Sequence, residues 1–191
     1  MSSIISPPKR IPFLLRFPIW IAERITGRYM LPARVLAWYP KTAVGAGVLE
    51  SLVAHRDGKL DERILKIVRI RASYAAACPF CIDMNSHQYR EKEITEDEYL
   101  VLRGLKSLEE VLSFSEREKL AMQYAKLVSQ TPLQFPAEFF QEMKSVFSER
   151  EIVILASTAA QVNYWARLIQ ALGIPPAGFS EHCDLPEQKN S

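Results

Sequence analysis

Cysteine is scarce in this chain, with three in 191 residues. They are too few and too unevenly placed for the disulfide framework of a small secreted domain. A charge excess is missing too. Lys and Arg total 24 against 22 Asp and Glu, a net charge of +2, so bulk charge gives no argument for nucleic acid as a partner. No apolar run is long enough to cross a membrane. Lys9-Arg10 before Ile11-Pro12-Phe13-Leu14-Leu15 is the nearest approach to a signal core. Arg16 interrupts it, prolines break it, and no small-residue cleavage site follows. The expectation is a cytoplasmic protein without membrane contact; the alternatives for this arm are a membrane surface or a sister subunit. Strand-like alternation is also lacking, so the chain reads all-α. With 48% hydrophobic and 24% charged residues, 191 residues suffice for one well-packed domain and are short for two.

What is present is a series of helix signals. Residues 1–16 read as extended, followed by a helix from Pro18 to about Arg28 that Gly27 weakens. Pro32 and Pro40 can each open a helix, the second reaching Leu49, Leu52 and Val53 before a turn at Asp57-Gly58-Lys59. Asp61 is a candidate N-cap for a helix with Ile64, Leu65, Ile67, Val68 and Ile70 at helical spacing, and Tyr74 to Ala77 read as a buried stretch. A helix from Cys78 is expected to run to about Glu91. Capping boxes mark three further starts, at Thr95/Glu98, Ser115/Glu118 and Ser148/Glu151. Pro136 can open the helix through Phe139 and Met143. Gly173 and Pro175-Pro176 end the last helix, and the tail from Gly178 reads as loose. The repeated Ser-Glu-Arg-Glu spelling is open to two readings: a duplicated helical unit, or simply a common helix start.

The stretch that commits to chemistry is Cys78-Pro79-Phe80-Cys81-Ile82-Asp83-Met84-Asn85. If a helix starts at Cys78, Pro79 takes its first turn, where the missing N–H costs nothing. Both sulfurs then lie at the positive end of the helix dipole, which favours a thiolate. At this spacing the Cα atoms stand roughly 5–6 Å apart, within the reach of a disulfide. Three readings follow: a reversible redox dithiol, a pair of core cysteines, or half of a zinc site completed by His87, His182 or Cys183. The redox reading is preferred, because His182-Cys183 sits in a tail beside Pro186.

Around the dithiol, Asn85 shares the helix face of Cys78 and Cys81. His87 falls on the opposite side and reads as a surface histidine, while Asp83 reads as a salt bridge or cap to a neighbour. Glu62 and Lys66 are four apart and can pair; either can instead face the thiols, where Lys66 would lower a thiol pKa. Lys66, Arg69 and Arg71 span two helix faces and read as solvated. Asn163 in the last helix reads as a buried structural contact.

These residues resemble the carboxymuconolactone decarboxylase/AhpD-like alkylhydroperoxidase superfamily, in its CxxC branch. The helix beginning Glu62-Arg63-Ile64-Leu65, the Cys78–Asn85 motif, the Thr-Glu-Asp-Glu cap at Thr95 and the late segment Glu151–Ile174 carry the likeness, over about residues 40–177. It implies an all-α AhpD-like domain at 40–177, with an N-terminal extension of short helices at 1–39 and a tail at 178–191. It implies a thiol-dependent peroxidase, assembled as a trimer or hexamer, without cofactor or metal. A hydroperoxide is the substrate, and an external thiol or disulfide reductase restores the pair. In that branch the second cysteine, here Cys81, attacks the peroxide and the first, here Cys78, resolves the sulfenic acid. The family's relay Glu stands where this chain has Lys66, and its relay His where this chain has Asn85. Neither takes a proton as those groups do. Glu62, one turn earlier, is a candidate substitute, and His87 is two residues out of register. The alternatives are a cofactor-free lyase acting on a small lactone acid, with Arg69, Arg71 and Arg167 to hold its carboxylate, and a non-enzymatic redox-sensing oligomer.

Overall fold

The computed structural model describes residues 3–52 and 60–181. Val53, the expected turn at Asp57–Lys59 and His182-Cys183 lie outside them. The described chain is all helical, with no strand: α1 (Phe13–Thr26), α2 (Leu31–Leu36), α3 (Pro40–Leu52), α4 (Glu62–Ala75), α5 (Pro79–Ser86), α6 (Glu96–Arg103), α7 (Glu116–Val128), α8 (Phe139–Val146) and α9 (Glu149–Ala171), with short 3₁₀ turns at Tyr89–Lys92 and Leu108–Glu110.

Helix α4 is the axis of the fold, packing against α5, α6, α7 and α9. Its apolar residues serve two faces. Ile64, Leu65, Val68 and Ala72 enter one core with α5, α7, α8 and α9. Ile67, Ile70 and Tyr74 enter a second core with Ile82, Tyr89, Tyr99, Leu102 and Met122. A helix apolar on two faces belongs in a middle, and each fully buried Ile, Leu or Val there contributes about 1.5–3 kcal/mol.

Asp61 caps α4 as expected, accepting from the Arg63 amide. The three capping boxes all form. In each, one Glu oxygen closes the box and the other meets an arginine from another helix. Arg63 of α4 reaches Glu98 at 2.6 Å and Glu118 at 2.5 Å. Arg117 of α7 reaches Glu151 at 2.8 Å. The boxes therefore also fix how helices lie against one another.

Several boundaries differ from the sequence expectation. Helix α1 begins at Phe13 rather than Pro18, with Pro12 as its N-cap and Pro18 inside. The carbonyl left without an amide by Pro18 belongs to Leu14, which is 82% exposed, so water can serve it. Helix α8 starts one turn after Pro136. Helix α5 stops at Ser86 rather than near Glu91: His87 turns extended and Gln88 takes φ 54°. That break brings Tyr89 against Tyr99, stacked at 4.3 Å, a contact the continued helix would forfeit. The stretch expected to be buried after Tyr74 is partly exposed, with Ala75 and Ala77 at the surface. The start of the segment expected to be loose is anchored, since Gly178 and Ser180 donate their amides to Asp83. At the other end, Gly173 (φ 60°) lies against Ile4, and a Cβ there would come within 2.8 Å of it. Ile4 in turn donates its amide to Leu172.

Candidate active site

The site begins where α4 ends. Ala77 takes the left-handed conformation (φ 48°), a costly one for a residue with a Cβ, and the chain turns from α4 into an extended Cys78. Cys78 is the N-cap of α5 and Pro79 its first residue, as the motif predicts. The Cys78 amide donates to the Ser73 carbonyl, and its own carbonyl accepts from Ile82. The Cys78 sulfur takes the cap's usual oxygen position, accepting from the Cys81 amide at 3.3 Å.

Both cysteines are free and buried. Their sulfurs stand 2.7 Å apart, with Cys81 and Cys78 as hydrogen-bond partners. Cys78 is drawn below the usual thiol range by the hydrogen bond with Cys81 and by the Cys81 and Phe80 amides, against the opposing effect of burial. Cys81 is driven up by the same hydrogen bond, by burial and by the charge on Cys78. The pair is thus asymmetric, with Cys78 the more acidic of the two thiols.

The other sequence candidates make their polar and ring contacts with groups other than the sulfurs. Lys66 sends its ammonium to the His87 carbonyl at 2.6 Å, at the C-terminal end of α5. A helix of eight residues is about 12 Å long, so this cation caps the end of α5 away from the thiols. Burial, with Arg69 and Lys92 nearby, lowers its pKa to about 8. Glu62 pairs with Lys92. Asn85 donates to Ser73 Oγ at 2.9 Å, and Ser73 Oγ donates to the Arg69 carbonyl. Asn85 thus fastens α5 to the residue that holds the Cys78 amide. His87 lies half-buried against the Phe179 ring.

Asp83 is neither a salt bridge nor a helix cap. It is fully buried and accepts three backbone amides, from Ala177, Gly178 and Ser180, at 2.7–2.8 Å. The basic residues expected to be solvated are mostly buried. Arg69 is 8% exposed, and Arg71 donates to the Leu102 carbonyl. Arg167 donates to Thr131 Oγ1, so the three arginines proposed for a carboxylate pocket have separate surroundings. Asn163 is the structural contact expected of it, donating to Ser129 Oγ and the Ala159 carbonyl. Among the described residues no three His, Cys, Asp or Glu side chains gather in a metal-holding group.

Sequence reasoning passed over Glu50. Its carboxylate accepts from Gln161 at 2.7 Å and Trp165 Nε1 at 2.9 Å, tying α3 to α9. A lone acidic residue among Gly, Ala, Val and Leu in α3 was the available signal.

No family model matches the chain. A curated relative, the uncharacterized protein YnjA of Escherichia coli K12, is 24% identical over 184 residues, covering 96% of this chain and 98% of its own. Two solved structures superpose over most of the chain. One is an alkylhydroperoxidase AhpD core, a peroxidase-related protein from Ralstonia eutropha JMP134, with 17% identity and a TM-score of 0.73 over 92% of this chain and 93% of that one. The chain has the AhpD-like fold. The other is a variant of the debrominase Bmp8 in complex with 2,3,4-tribromopyrrole, with 18% identity and a TM-score of 0.75 over 91% of each chain. The AhpD-like helical arrangement is therefore shared over most of the chain.

Proposed function

We propose that this protein is a thiol-dependent peroxidase of the AhpD-like group, reducing hydroperoxides through Cys78 and Cys81. The observation that carries the reading is the pair of buried sulfurs 2.7 Å apart at the N-terminus of α5. The order of attack follows the resemblance. One proton of the dithiol is lost to solvent; with the remaining proton on Cys78, the Cys81 thiolate attacks the terminal oxygen of the hydroperoxide. The O–O bond breaks, the alkoxide leaving group takes the proton from Cys78, and Cys81 sulfenic acid forms. The Cys78 thiolate then attacks the sulfenic sulfur, hydroxide leaves and takes a proton from solvent to become water, and the disulfide is complete. In this scheme Cys78 does the proton work for which the family uses its Glu and His, so Lys66 and Asn85 need not do it. An external thiol or disulfide reductase returns both electrons. The fold and the apolar face of α1 support assembly as a homo-oligomer.

The test is peroxide consumption with a dithiol reductant. Cys81→Ser should abolish it, and Cys78→Ser should leave Cys81 trapped as a sulfenic acid. Activity surviving Cys81→Ser would sink the assignment. The Bmp8 likeness favours one further arm, since that fold neighbour is a debrominase. Debromination of a bromopyrrole with no peroxide consumption would place this chain on that second reading.

A further inference from the structure

Residues 1–39 carry six Lys and Arg side chains against a single acid, Glu23, while the rest of the chain is acidic on balance. Four of those cations, Lys9, Arg10, Arg16 and Arg34, line one open groove of about 350 Å³ beside α1. The arm that carries Lys9 and Arg10 is fixed at both ends. The Trp38 indole donates to the Ser6 carbonyl at 2.8 Å, and Arg16 Nε donates to the Ile11 carbonyl at 3.0 Å. Glu23, the one acid in the lining, is engaged within the chain. It accepts both prongs of Arg34, at 2.7 and 2.8 Å, and the Met30 amide at 3.1 Å. Lys9, Arg10 and Arg16 make no ion pair among the described residues. Helix α1 supplies no anion of its own there, since its N-cap is Pro12 and its first turn holds no acid. Trp20 stands on one side of the groove, its ring stacked on Phe17 at 6.0 Å.

The geometry points to this groove as a binding site for a phosphate group carried on a ligand with a planar apolar part. Charge sets the class. Three cations gathered on one groove without a carboxylate partner repel one another, and an anion between them relieves that repulsion. Four cations against one carboxylate leave an excess of three positive charges, which favours a dianion over a singly charged carboxylate. The donors set the group. Arg16 engages Ile11 through Nε, and its remaining N–H groups form the planar fork that matches two phosphate oxygens. The exposed Trp20 indole sets the rest of the ligand, because it offers an aromatic surface to a ring beside the charge. The volume admits a phosphate with one ring. Phe13, Leu14 and Phe17 are not part of the lining, so the groove flanks the apolar face of α1 without coinciding with it. The site shares no residue with the dithiol and goes beyond the peroxidase reading.

The experiment titrates phenyl phosphate into the full chain in low-salt Tris buffer. Binding is followed by calorimetry and by the Trp20 indole N–H resonance, assigned with Trp20→Phe. Saturable binding that shifts that resonance is expected, and phenol should bind at least about tenfold more weakly because it lacks the phosphate. Added salt should weaken the binding by screening. Arg16→Gln removes the fork at an exposed position, and should weaken phenyl phosphate about tenfold or more. Lys9→Gln with Arg10→Gln should do the same while leaving the Arg16 bond to Ile11 in place, so a loss there is not a loss of the arm's anchor. Vesicles separate the two sources of such a phosphate. Sedimentation with phosphatidic acid vesicles but not phosphatidylcholine vesicles, lost in Arg16→Gln, supports the site and identifies a lipid headgroup. Phenyl phosphate binding without sedimentation supports it and identifies a soluble phosphate ester. No saturable binding of phenyl phosphate, equal binding of phenol, or binding untouched by both sets of substitutions would overturn the inference.

Discussion

At the residue scale the chemistry turns on which sulfur holds the charge. Both sit at one helix N-terminus, yet their environments push them apart: the contact with Cys81 and the helix-start amides draw Cys78 down, while the contact with Cys78 and burial push Cys81 up. Such divergence is how one site supplies both a base and a nucleophile. Lys66 is the second residue whose protonation the fold controls. Its pKa lies near 8 in the folded chain against an ordinary 10.5. Between those values the unfolded chain holds a proton that the folded chain has released, so stability rises as pH increases through the window from about 8 to 10.5. Urea unfolding at pH 7.5 and pH 10 should show that rise, and Lys66→Met should flatten it; an unchanged slope in the variant would remove Lys66 as its cause. The same residue shows where sequence reading stops. Lys66 at the family's Glu position suggests thiolate tuning, and the spacing of helix positions carries no information that its long side chain runs to His87 instead.

At the element scale, α4 and the capping boxes decide the arrangement. Arg63 holds two nearly buried carboxylates from two helices, Glu98 and Glu118. Removing it leaves both charges without their arginine in low dielectric, so Arg63→Met should cost about 3–5 kcal/mol, measured by chemical denaturation. A loss well under 1 kcal/mol would show the cluster to be solvated. Much of this scale was legible in the sequence. The Asp61 cap, the three boxes, the Cys78-Pro79 start of α5 and the all-α class all follow from local rules that the fold obeys. What escaped local rules was set by contacts distant in sequence. Helix α5 ends where Tyr89 must meet Tyr99, and Asp83 is buried because the chain returns ninety-odd residues later to bring it three amides. Glu50 and its partners Gln161 and Trp165 are likewise more than a hundred residues apart.

At the scale of the whole molecule, the N-terminal helices present more apolar surface than one copy buries. Phe13 and Leu14 are both 82% exposed, with Phe17 and Trp20 alongside on α1. Patches of this kind mark interaction surfaces. For the homo-oligomer proposed above, light scattering should give a mass that is a multiple of 21.8 kDa, and Phe17→Glu should shift it toward the single chain. A single-chain mass at micromolar concentration would contradict that assembly. None of the described helices is long and apolar enough to cross a membrane. The central claim is narrower than any of this: Cys78 and Cys81 are a working dithiol. The most direct measurement is the intact and peptide mass of the reduced protein before and after one equivalent of cumene hydroperoxide. The account predicts a loss of two hydrogens confined to the peptide holding Cys78 and Cys81, reversed by a dithiol reductant. An unchanged mass for that peptide after peroxide exposure would contradict it.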